Sequence, residues 1–153
     1  MIVESKLKEL GITLHEPLKP LGVYVPAVKV GPWVYISGMV SMRDGKFKYK
    51  GKVGKNLTLE QGYEAARISG INALAALKSA IGDLDKVERI VKVVGFVNSS
   101  EDFTKHPQVV NGASELFAKV FGDKGIAARS ALGVSGLPED SPVELEMIVK
   151  IKE

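Results

Sequence analysis

An α+β fold, with two helices laid over one face of a mixed sheet, follows from three observations on the sequence. The stretch GVYVPAVKVGPWVYISG holds two β-branched and aromatic runs on either side of Gly31-Pro32, a turn dipeptide. Two later segments, one after Thr58 and one after the turn NSSEDF, repeat apolar residues at helical spacing. The closing segment VELEMIVKI alternates apolar and polar or outward residues as a half-buried strand does. The resulting order is hairpin, helix, strand, helix, strand, strand.

Taken from the N-terminus, ESKLKELGI sets Leu7 and Leu10 three apart and stops at Gly11, which predicts a short helix ahead of the proline-bearing linker HEPLKP. Residues 1–20 are expected to form a surface appendage to one domain spanning 1–153. The hairpin follows, with Tyr24 and Ser37 expected on its strands. RDGKFKYKGKVGK offers no core pattern beyond Phe47 and Tyr49, so it reads as a mobile loop or a short edge strand whose lysines discourage pairing. Thr58 and Gln61 form a capping box, and Ile68, Ile71, Leu74, Leu77 and Ile81 define the face of a long helix that ends at Gly82. RIVKVVGFV is a buried strand, and the second helix carries Val109, Ala113, Leu116, Phe117 and Val120 on one face before Gly122. The chain shows no repeat and no low-complexity segment.

In the last strand, alternation puts Val143, Leu145, Met147, Val149 and Ile151 beneath the helices and turns Glu144, Glu146, Ile148 and Lys150 away. In the preceding strand Ser130, Leu132 and Val134 share a side, and Arg129, Ala131 and Gly133 share the other. Placing the second set with Glu144 makes a face that is small and sparsely charged, suited to a subunit interface with a cleft in it. Arg129 and Glu144 are expected to open into that cleft together, or else to neutralise one another across adjacent strands.

Composition narrows the function. The chain is 45% hydrophobic and 25% charged, an ordinary balance for a globular protein, and no apolar run approaches the roughly 20 residues of a bilayer span. MIVESKLKEL lacks the pattern of a secretory signal, and a cytoplasmic location is expected. There is no cysteine, which excludes disulfides, a thiolate nucleophile and sulfur ligands, and His15 and His106 lie too far apart in sequence to suggest a metal site. A net charge of +3 argues against a dedicated nucleic-acid binder. The exception is the cluster Lys46, Lys48, Lys50, Lys52 and Lys55, interleaved with Phe47 and Tyr49, which could track a phosphate backbone.

The segments VYVPAVKVGPWVYISG, GFVNSSEDFTKHPQVVNGASELFAKVF and ARSALGVSGLPEDSPVELEMIVKI together resemble the reactive-intermediate deaminase family, also called Rid or YjgF-like and earlier described as an endoribonuclease or translation inhibitor. The resemblance runs from about Leu21 to the C-terminus and is most specific in Arg-Ser, Leu-Pro and the Val-Glu-Leu-Glu strand. It implies a chorismate-mutase-like α+β fold assembled as a homotrimer with clefts between subunits. It also implies hydrolysis of enamines and imines such as 2-aminoacrylate to a 2-keto acid and ammonia, without a cofactor. By that resemblance Arg129 clamps a substrate carboxylate, Glu144 places the attacking water, and Tyr24, Ser37, Asn111 and the backbone at Ala131 line the cleft. Ala131 stands where many deaminases have cysteine, and Met39 where glutamine is frequent. The extra N-terminal helix, the lysine-rich loop and a longer spacing from Asn111 to Arg129 resemble a longer branch of the family.

A planar guanidinium suits a 2-imino acid because it grips a carboxylate with two parallel hydrogen bonds. Water delivered to an electrophilic carbon, with protons returned to nitrogen, is work for one carboxylate. A neighbouring Arg129 is expected to hold Glu144 ionised, favouring the orientation of water over base catalysis. The competing classes are an RNA-binding or ribonuclease protein and a non-catalytic trimer that binds small carboxylates.

Overall fold

Alternation along the last strand organises the molecule. The computed structural model describes residues 1–153. In chain order the elements are α1 (Ile2–Glu9), β1 (Ala27–Val30), β2 (Trp33–Val40), β3 (Met42–Arg43), β4 (Lys46–Phe47), α2 (Leu59–Ile81), β5 (Val87–Asn98), α3 (His106–Phe121), β6 (Ala128–Val134) and β7 (Val143–Ile151). Every second residue of β7 from Val143 to Ile151 is buried, as its alternation requires. β7 lies at the centre of a five-stranded sheet of order β1-β2-β7-β5-β6, antiparallel except where β6 runs parallel to β5. That one parallel pair needs a crossover, and α3 supplies it.

α2 and α3 cover one face of the sheet. The capping box forms as expected, the Thr58 side chain accepting from the Gln61 N–H at 3.1 Å while Gln61 returns a bond to the Thr58 N–H at 2.9 Å. Ile71, Leu74, Leu77 and Ile81 are buried, while Ile68 is only half-buried. On α3 all five expected residues, Val109, Ala113, Leu116, Phe117 and Val120, are buried. The helices approach backbone to backbone because Gly112 carries no side chain: a Cβ there would stand 1.9 Å from the Tyr63 carbonyl oxygen.

In the N-terminal half one expectation is corrected and an alternative is decided. α1 is not a surface appendage: Val3, Leu7 and Ile12 are buried in the same apolar cluster as Leu74, Phe117 and Val149. The i, i+4 pair Val3 and Leu7 forms its inner face, and Asp85 ties down its first turn by accepting the Ile2 and Val3 N–H groups, each at 2.8 Å. These bonds hold the Asp85 carboxyl below the usual carboxylate range. Of the two forms expected for the lysine-rich stretch, the short strand is present and the mobile loop is not. The stretch begins as the two-stranded β3–β4 hairpin and ends with Val53 fully buried and bridged to Ser99. Its lysines diverge: Lys48 pairs with Glu64, Lys50 lies 5.3 Å over the Phe47 ring, and Lys52 donates to Asn98 at 2.8 Å and to the Ser135 carbonyl.

The other face of the sheet has no helix over it. Val28, Tyr35 and Leu132 are exposed there, and Val94, Phe96 and Ile148 half-buried. Their registers, Val28 with Tyr35, Tyr35 with Ile148, and Phe96 with Leu132, confirm that they share this side.

Candidate functional site

β2 does not pair evenly with β7. Ile36 faces Met147 and Met39 faces Leu145, so Ser37 and Gly38 together oppose the single residue Glu146. This bulge re-aims the strand beside Glu144. A Cβ on Gly38 would fall 2.9 Å from the Glu144 carboxyl carbon, so only glycine lets that side chain lie across the bulge. Ser37 anchors the approaching chain: its hydroxyl donates to the Val25 carbonyl at 2.6 Å, and its N–H to Pro26 at 2.9 Å. Tyr24 belongs to this irregular approach and not to a strand of the hairpin, because pairing begins only at Ala27. Its ring is half exposed and its hydroxyl accepts the Leu21 N–H at 3.2 Å.

Glu144, Ser37, Gly38 and Tyr24 thus line one groove, about 1160 Å³ in volume, together with Phe96 and the 15–19 segment of the linker. Phe96 sits opposite Glu144 in the β5–β7 register and contributes an apolar wall. Burial raises the Glu144 carboxyl above its ordinary value, and the Glu146 charge adds to the rise. This reverses the expectation that Arg129 depresses it. A carboxyl raised in this way is a stronger base when ionised and holds a proton nearer neutrality.

Arg129 lies elsewhere. It registers with Val93, whose other neighbour is the core residue Met147, so its side chain rises on the helix side of the sheet. There its Nη1 donates to Asn111 Oδ1 at 2.7 Å and Ser114 Oγ at 3.1 Å, and Nη2 donates to the Pro107 carbonyl at 3.4 Å. Ala131 shares this side and packs against the cluster of Val97 and Val109, and a Cβ on Gly133 would meet His106. The expected common face for Arg129, Ala131, Gly133 and Glu144 is therefore wrong. Arg129 and Glu144 occupy opposite faces on strands separated by β5, about 14 Å apart at Cα by strand geometry. They neither share a cleft within one chain nor neutralise each other across adjacent strands.

The chain therefore holds two separate polar clusters. One is a guanidinium braced by α3 on the edge strand β6; the other is a desolvated carboxyl at a bulge. Of the expected residues, Tyr24, Ser37 and Glu144 gather at the second, and Asn111, Arg129 and Ala131 at the first. Sequence reasoning missed Ser114, Phe96 and Gly38. Ser114 falls three residues beyond Asn111 on α3, a helical spacing that could have flagged it. Phe96 alternates with the buried Val97, which marks it as outward.

Residues 4–148 match the family described as "YjgF/chorismate_mutase-like, putative endoribonuclease". The crystal structure of a protein of unknown function from Agrobacterium tumefaciens is 39% identical, with a TM-score of 0.92 and coverage of 99% of this chain and 93% of that one. The 2-iminobutanoate/2-iminopropanoate deaminase of Dermatophagoides farinae is 31% identical over 134 residues, 88% of this chain and 90% of the deaminase. RidA from an Antarctic Psychrobacter is 28% identical with a TM-score of 0.62, covering 91% of this chain and 96% of that one. Coverage is high in both structural matches, so the difference in score reflects the course of the backbone more than its length.

Proposed function

The chain belongs to the YjgF/chorismate-mutase-like family, and on that premise we propose that it hydrolyses 2-imino acids and their enamine tautomers, such as 2-aminoacrylate, to 2-keto acids and ammonia in clefts between the subunits of a homotrimer. The observation that carries this reading is the division of the site. A guanidinium on the edge strand of one face and a carboxyl on the other cannot meet in one chain, but two copies can bring them together. The uncovered sheet face with Val28, Tyr35, Ile148 and Leu132 supplies apolar surface for such an assembly.

In that cleft Arg129 of one copy grips the substrate carboxylate through N–H groups left over from its bonds to Asn111, Ser114 and Pro107. Those bonds orient the planar fork before substrate arrives, so little entropy is lost on binding. Glu144 of the next copy takes a proton from water as the oxygen attacks the imine carbon. It passes that proton to nitrogen, giving a carbinolamine, and then carries the second proton from the new hydroxyl to the amine as the carbon–nitrogen bond breaks, so the carbonyl forms and ammonia leaves with both protons of the water. No electrons are exchanged, and the carbon is electrophilic already, so the chemistry calls for no cofactor. The raised Glu144 pKa supports the shuttling role.

The test generates 2-aminoacrylate or 2-iminobutanoate in situ with a dehydratase or amino-acid oxidase and follows keto-acid release. Arg129→Ala and Glu144→Gln should each be nearly inactive alone. Unfolded and refolded as a mixture, they should recover activity, because some clefts then join an intact Arg129 to an intact Glu144. Mixed oligomers formed without recovery overturn the shared site. Absence of turnover by the parent protein, with carboxylates still bound, would leave a non-catalytic carboxylate binder.

A further inference from the structure

The groove at Glu144 continues well past the room a three- or four-carbon imino acid needs. Its outer half runs around the uncovered edge of β2, between α2 and the linker. The linker wall is fastened there: Arg43 donates to the Thr13 carbonyl at 2.7 Å, and His15 Nδ1 lies 2.8 Å from Asp44 Oδ1 on the β3–β4 turn. Leu18 packs from the linker against the main core, and Ala75, only 6% exposed, lines the opposite wall from α2.

Asn72 also lines this half, although it is only 8% exposed. Its amide nitrogen is fully used, donating to the Val40 carbonyl at 2.9 Å and the Met42 carbonyl at 2.7 Å. These bonds fix the orientation of the amide and leave its oxygen without a hydrogen bond within the chain, on a residue that lines the groove. A free acceptor on a side chain so nearly buried is poorly served by bulk water and suits a donor on a ligand. Arg43, on the same wall, spends one N–H group on Thr13 and retains others.

We infer that the outer half of the groove is a side-chain subsite for an aliphatic chain ending in a carboxamide, whose N–H donates to Asn72 Oδ1 and whose carbonyl accepts from Arg43. The inference rests on the imino-acid reading, which puts the reacting end of the ligand at Glu144. It makes the preferred substrate a 2-imino acid with an amide-terminated side chain, and it gives the linker a role in specificity.

The test is calorimetric titration of the intact protein with two series of linear acids: succinamate, glutaramate and adipamate against butanoate, pentanoate and hexanoate. At one chain length the amide should bind about 10-fold tighter than its methyl-ended counterpart, the worth of a hydrogen bond to a desolvated acceptor. Ala75→Leu, which fills the outer half, should erase most of that advantage. In the unmodified protein the Asn72 side-chain resonances should move with the favoured amide and not with its methyl-ended counterpart, a readout that stands even if Ala75→Leu misfolds. No amide advantage at any length, or an advantage that survives in folded Ala75→Leu, overturns the subsite. Turnover separates the two ideas. Hydrolysis of the alanine-derived imine without any amide advantage removes the subsite and keeps the hydrolase. An amide advantage without hydrolysis of either the alanine-derived or the glutamine-derived imine does the reverse.

Discussion

Arg129 and Glu144 take opposite characters from their surroundings. Three acceptors on α3 spend part of the Arg129 fork and aim the rest, a task that a lysine ammonium cannot repeat. Arg129→Lys should therefore lower the efficiency of keto-acid release about 30-fold or more, with oligomeric state unchanged by sedimentation. Near-parental activity in the lysine variant would show that charge alone suffices. For Glu144 burial disfavours ionisation, so its folded pKa lies above the unfolded one and the folded state holds the proton more tightly. Stability then falls as pH rises from the ordinary carboxylate value through the raised one. Glu144→Gln should raise the melting temperature at pH 7 and lose that advantage near pH 4. A variant less stable than the parent at pH 7 would mean that the charge is welcomed in the groove.

Elements place these residues with little tolerance. The Ser37–Gly38 bulge exists beside Glu144, and the missing Cβ at Gly38 is the space its carboxyl occupies. Gly38→Ala should push the carboxyl off position and reduce turnover about 100-fold, the usual cost of an ångström-scale misplacement, with circular dichroism unchanged. Undiminished turnover would place the reacting carboxyl elsewhere. α1 depends on a residue far along the chain, since Asp85 accepts its first two N–H groups. Because Asp85 is depressed in the folded state, its contribution is present above the unfolded carboxylate pKa and fades as pH falls through the folded one. Asp85→Ala should speed hydrogen exchange over residues 2–9 at neutral pH, with a smaller difference in acid. Equal exchange at pH 7 would assign the anchoring of α1 to Val3 and Leu7 alone.

At the scale of the whole molecule, one sheet face is sealed by α2 and α3 and the other presents Val28, Tyr35, Phe96, Leu132 and Ile148. The proposed trimer covers that second face and completes the cleft in the same act. Ile148→Lys should disperse the assembly and remove imine hydrolysis together, as seen by sedimentation velocity at micromolar protein and by keto-acid release. A parent protein that sediments as a monomer, or an active monomeric variant, would contradict the shared cleft.

Local rules were enough to read α2, α3 and β7 from the sequence. The capping box at Thr58, the helical spacing through Ile71 and Phe117 and the strict alternation from Val143 are set by neighbours a few residues apart. The same rules identified Arg129 and Glu144 as residues to watch but could not place them. β6 reads Ala-Arg-Ser-Ala-Leu-Gly-Val, with small residues on both sides, so its pattern does not say which side faces the helices. Pairing with β5 decides it, through a crossover that brings Arg129 opposite Val93 and under Asn111. α1 and its linker escape local rules for a similar reason, because their partners, Asp85 and the β3–β4 turn, are remote in sequence. The elements and the chemical groups follow from short-range signals in the sequence. Which groups share a face is fixed only when the chain folds, because strand register and crossover are long-range choices, and a one-residue shift sends every side chain of a strand to the other side.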